Sequence, residues 1–84
     1  MDEDLEKLLI ETVKADIDGK YIGYSVIGPI NKQQFNEVTG IASVRVSFKK
    51  EIHDSSEIPL EKYFTYRLSN SEIEQQWHYI NSDG

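Results

Sequence analysis

From Ala42 to Phe48 apolar and polar residues alternate without a break: Ala-Ser-Val-Arg-Val-Ser-Phe. A period of two marks a β-strand with one buried face and one wet face. The pattern predicts a strand over 41–51, with Ala42, Val44, Val46 and Phe48 inward and Ser43, Arg45, Ser47 and Lys49 outward. A second alternating run over 60–68 turns Leu60, Phe64, Tyr66 and Leu68 inward, and Glu61, Tyr63, Thr65 and Arg67 outward. Between them, His53 to Pro59 reads as a polar loop, with Asp54, Ser55 and Ser56 in their usual turn roles.

The chain begins with a different period. Leu5, Leu8, Leu9 and Val13 follow the spacing of an amphipathic helix over 3–12. Asp2, Glu3 and Asp4 complement the positive end of its dipole, and Glu3 stands four residues before Lys7. Two continuations are open. The helix could run to about Ile17 with Gly19 closing it, which sets Asp16 in the apolar stripe. The favoured alternative is a strand in which Val13, Ala15 and Ile17 alternate with polar residues. In that reading Asp18-Gly19 makes a hairpin turn into a strand over 20–27. Ile22, Tyr24 and Val26 then face the core, and Tyr21 faces outward.

Two segments remain. Residues 31–39 form either a short helix, capped by Asn31 with Gln34 and stapled by Ile30 and Phe35, or an irregular loop. Ser71 with Glu74 makes a capping box before Ile73, Trp77 and Ile80, whose spacing predicts a C-terminal helix of about ten residues. The expected fold is therefore α+β, in the order α-β-β-β-β-α. It is a two-layer sandwich whose antiparallel sheet of three or four strands carries the N-terminal and C-terminal helices on one face.

Length and composition narrow the picture. Eighty-four residues, 38% hydrophobic and 29% charged, suit a single globular domain over 1–84. The absence of cysteine removes a disulfide framework and thiolate metal sites, and suits a reducing cytoplasm. No apolar run reaches the roughly 20 residues of a membrane span. The net charge of −6 is uneven. Residues 1–18 carry seven acids and two lysines, whereas 45–67 carry five bases and four acids. This acidity disfavours nonspecific binding to nucleic acid.

No motif for catalysis, metal or cofactor stands out. His53 beside Asp54, with Glu51 and Glu57 near, reads as a solvated loop; His78 reads as a boundary residue of the last helix. There is no Gly-x-Ser-x-Gly elbow and no phosphate-binding glycine signature. With residues 13–18 helical, the order helix, three strands, helix is similar to that of the double-stranded-RNA-binding domain. The basic start of that family's last helix is here Ser69-Asn70-Ser71-Glu72-Ile73-Glu74, so the likeness is one of element order alone.

What remains is a surface. Tyr21, Arg45, Ser47, Lys49, Tyr63, Thr65 and Arg67 are expected to share the outward sheet face. Tyrosine and arginine are the residue types in which binding energy concentrates. The expectation is a small, acidic, non-enzymatic interaction protein of the inhibitor, immunity or regulatory kind, binding a protein partner or a second copy through that face. The alternatives are a nucleic-acid-binding module using the same face, or an acidic mimic of nucleic acid presenting Asp2, Glu3, Asp4, Glu6 and Glu11.

Overall fold

The fold rests on a computed structural model that describes residues 2–51, 59–69 and 74–83. One helix precedes five strands: α1 (Glu3–Lys20), β1 (Tyr24–Val26), β2 (Asn31–Asn36), β3 (Ile41–Lys50), β4 (Leu60–Leu68) and β5 (Trp77–Asp83). All strand pairing is antiparallel.

α1 starts where Asp2 caps it. The Asp2 carboxylate accepts from the amides of Asp4 at 2.7 Å and Leu5 at 3.4 Å, satisfying two of the donors left free at a helix start. Leu9, Val13 and Ile17, four residues apart, are fully or almost fully buried. The hairpin expected at Asp18-Gly19 is overturned, since both residues lie in the last turn of this helix. The reason is Asp16. Its carboxylate does face the sheet, but it accepts a 2.7 Å hydrogen bond from the hydroxyl of buried Tyr66. A polar group set against a core is tolerated when its bond is made.

β1 and β2 form one interrupted edge. β1 pairs with the far end of β3 (Val26 opposite Phe48) and β2 with its near end (Asn31 opposite Arg45). The Ile27 amide still donates to the Ser47 carbonyl at 2.7 Å before the chain breaks at Gly28, with φ at +69°, and Pro29. Proline supplies no donor for the ladder. Neither the helix nor the irregular loop expected over 31–39 forms: residues 31–36 are strand, and the turn to β3 follows. In that turn the Asn36 side chain accepts from the amides of Val38 and Thr39. Gly40, with φ at +72°, then takes the left-handed conformation that glycine adopts without strain.

β3 and β4 carry the longest ladder, Ile41 opposite Arg67 through Phe48 opposite Leu60. Ala42, Val44, Val46 and Phe48 on β3 and Phe64 and Tyr66 on β4 are buried to 1% exposure or less, and they share one core with the α1 residues.

The C-terminal helix is corrected to a strand. Trp77 to Asp83 pair with β4, with a bulge at Ile80 between the Tyr66–Tyr79 and Thr65–Asn81 pairs. The Trp77–Ile80 spacing imitated a helical period because the bulge interrupts the alternation. Ser71 and Ile73, also assigned to that helix, lie outside the described residues, as do His53 to Ile58 of the loop. Trp77 still enters the core, at 5% exposure, and its indole N–H donates to the Leu5 carbonyl at 2.9 Å, tying β5 to α1. The Phe35 and Trp77 rings, from strands on opposite sides of the β3–β4 pair, meet at 5.9 Å. Ala42 lies opposite Phe35 and occupies little of the space between them.

Candidate functional site

The sheet register builds the outward face row by row. Ser47 stands opposite Glu61, Arg45 opposite Tyr63, Ser43 opposite Thr65 and Ile41 opposite Arg67. Neighbouring strands widen each row: Lys49 meets Ser25, Arg45 meets Asn31, Thr65 meets Asn81 and Arg67 meets His78. α1 lies against the other face, through the Tyr66–Asp16 and Trp77–Leu5 bonds. Among the described residues, no helix or strand is stacked on the outward face.

Six of the seven residues expected there share it. Arg45, Ser47, Lys49 and Thr65 are half-buried among their neighbours; Arg67 is exposed, and Tyr63 is 43% exposed. Tyr21 is the exception. Because α1 runs through Lys20, Tyr21 becomes the helix C-cap, its amide bonded to the Ile17 carbonyl at 2.8 Å. Its ring packs 4.9 Å from Phe48 and 6.1 Å from Phe64, on the core side, with the Lys62 ammonium 5.6 Å over it. It belongs to the core margin and not to the candidate site.

The face holds residues that pattern reading did not assign to it. Asn31, Gln34 and Asn36 come from β2, and His78 and Asn81 from β5, both segments having been read as helix or loop. Ile27 and Ile80 add exposed apolar surface, at 39% and 41%. Ile41, also unassigned, shares the parity of Ser43 and Arg45, the one signal in the alternation that could have placed it here. Around Ile41 lies a broad open depression of about 980 Å³, bordered by Gln34, Phe35, Asn36, Glu37, Thr39, Ser43 and Thr65. Its rim carries amides and hydroxyls, able to hydrogen-bond in either direction, and the Glu37 carboxylate, which accepts only.

The electrostatics of the face are distinctive. On β3 and β4 its cations are Arg45, Lys49 and Arg67 and its carboxylate is Glu61, which accepts from the Ser47 hydroxyl at 3.2 Å; Asp83 of β5 stands opposite Tyr63, in the same row as Arg45. Among the described residues no carboxylate forms an ion pair with those three cations. The perturbed ionisable group lies on the opposite side of the sheet. Burial first, then the hydrogen bond to Asp16 and its charge, hold the Tyr66 hydroxyl far above the usual tyrosine pKa. That group is structural. Among the described residues, no three histidines, aspartates or glutamates gather as metal ligands.

No family model, curated protein or solved structure matches this chain. Among the described residues, no helix is long and apolar enough to cross a membrane.

Proposed function

We propose that this is a small binding protein, of the inhibitor, immunity or regulatory kind, that holds a protein partner against its outward sheet face. The reading is non-enzymatic and cytoplasmic, in keeping with a cysteine-free acidic chain. The observation that carries it is the Arg45–Tyr63 pair, placed directly cross-strand at the centre of a face over which none of the described helices or strands lies. Arginine and tyrosine dominate binding hot spots, and the surrounding Ser43, Ser47 and Thr65 provide a hydrogen-bonding rim.

The size is adequate. Nine residue steps along β3 at about 3.4 Å, across four strands about 4.8 Å apart, give a face of roughly 600 Å². A standard protein–protein interface takes about 800 Å² from each partner. Flanking residues such as Ile27 and Val38, the latter 95% exposed at the β2–β3 turn, make up the difference.

A steric block tests the reading. Ser43→Trp with Thr65→Trp fills one cross-strand pair in the middle of the face without touching the core. The double variant should keep the wild-type circular dichroism spectrum and lose the partner that wild type captures from its host. Equal capture by both proteins would sink the assignment of this face.

A further inference from the structure

Resting on that reading of the outward face, we infer that the protein held there is a second copy of this chain. Charge does not mark the face for a partner of either sign. Arg45, Lys49 and Arg67 are matched by Glu61 on β4, by Asp83 in the Arg45 row of β5 and by Glu37 at the border of the depression around Ile41. A balanced mosaic selects by arrangement, and this arrangement is complementary to itself.

A two-fold axis laid along the strands, between β3 and β4, sets β3 of one copy over β4 of the other. Sheets packed face to face keep their strands within about 30° of each other, so the central rows stay matched. Partners across the ladder within one chain then become facing partners between chains, and each contact occurs twice. Arg45 lies over the second copy's Tyr63, Ser43 over its Thr65, Ser47 over its Glu61 and Ile41 over its Arg67. The outer strands follow: β5 lies over β2, with Asn81 over Gln34. No cation is set directly over a cation. A guanidinium over a tyrosine ring is attracted by the ring's negative face, most strongly where water is excluded. Lys49 stands about 7 Å along the strand from the second copy's Glu61, within the reach of a lysine side chain. The aliphatic stem of Arg67 covers Ile41. Turning the second copy end for end, about an axis across the strands through the Arg45–Tyr63 row, would instead lay Arg45 over Arg45.

The far side of the sheet points the same way. Residues 2–20 carry seven acids and three lysines, on or beside α1. Pairing through that side would bring two acidic helices together. Pairing through the outward face leaves them outermost in a four-layer stack. Two sheets about 10 Å apart then separate them, and physiological salt screens charge beyond about 8 Å. Roughly 600 Å² from each copy makes about 1,200 Å² in all, the lower end for a specific interface, so the pair is reversible, with a Kd on the order of 10 µM.

Sedimentation equilibrium of the full chain from about 1 µM to about 1 mM tests this. Wild type should pass from monomer to dimer mass across that range. Tyr63→Arg, which sets arginine over arginine twice, should weaken the dimer about tenfold or more. Arg45→Tyr combined with Tyr63→Arg exchanges the members of the pair and should recover the dimer to within about threefold. Ser43→Trp/Thr65→Trp should stay monomeric, whereas Lys7→Glu with Lys14→Glu, on the helix, should dimerise as wild type does. All these changes lie outside the core, so each variant should keep the wild-type circular dichroism spectrum. A wild type monomeric throughout, a dimer that ignores the tryptophan block, or a Tyr63→Arg defect that the exchange leaves unrepaired would overturn the inference. A monomeric wild type whose capture of a host protein the block still abolishes would remove the second copy and keep the face.

Discussion

The hydrogen bond from Tyr66 to Asp16 leads to a prediction whose sign depends on background. Asp16→Ala strips the acceptor from a hydroxyl on a residue with no solvent exposure. Losing a hydrogen bond to a charged group costs about 1.5–3 kcal/mol, and an orphaned buried hydroxyl sits in that range. Alanine repays about 0.6 kcal/mol in helix propensity at a mid-helix position. The net destabilisation expected is about 2 kcal/mol, or roughly 8–16 °C in Tm for a domain of this size. Tyr66→Phe should cost less, about 1 kcal/mol, because Asp16 is only half-buried and regains water. In the Tyr66→Phe background the hydroxyl is gone, so Asp16→Ala should be neutral or stabilising by about 0.5 kcal/mol. Urea unfolding followed by the fluorescence of Trp77, the single tryptophan and 5% exposed in the fold, measures all four corners of the cycle. Equal cost of Asp16→Ala in both backgrounds would refute the coupling, and with it the explanation of why an aspartate is tolerated in the apolar stripe.

Two further predictions follow from the same core. The raised pKa of Tyr66 means that the unfolded chain ionises first as pH climbs, so its contribution to stability is complete below about pH 10 and declines above it, by up to about 1.4 kcal/mol per pH unit; the Tyr66→Phe variant should show a shallower alkaline loss in urea melts. Trp77→Phe removes the donor to the Leu5 carbonyl and part of a buried ring, and should cost about 2 kcal/mol by chemical denaturation followed by circular dichroism.

Strands β3 and β4 were legible because each has one buried and one open face, and their alternation marks both ends to within a residue. The inward set Val44, Val46, Phe48, Phe64 and Tyr66 and the outward set Arg45, Ser47, Tyr63, Thr65 and Arg67 followed from parity alone. The ends of the chain were harder. Asp16 looked incompatible with a helix because its partner, Tyr66, stands fifty residues away, and local spacing carries no sign of it. Tyr21 was misplaced for the same reason: its direction depends on where α1 stops. β2, Asn-Lys-Gln-Gln-Phe-Asn, is an edge strand with an irregularity between Lys32 and Gln34, so it shows almost no alternation. In β5 the bulge at Ile80 set two apolar residues at a helical interval. Of the candidate site, the β3–β4 centre was visible in the sequence; the β2 and β5 margins required pairing partners to be known.

The bond between the Trp77 indole and the Leu5 carbonyl joins residues seventy-two positions apart. α1 precedes every described strand, yet its apolar stripe is completed by β5, the furthest from it in sequence. An isolated helix of eighteen residues is marginal in water, so α1 gains its persistence from that closure. The β2–β3 and β3–β4 hairpins involve shorter loops and form at lower entropic cost. The contact between α1 and β5 closes the longest loop in the fold, so its entropic cost is borne by the hairpins that bring the two elements within reach.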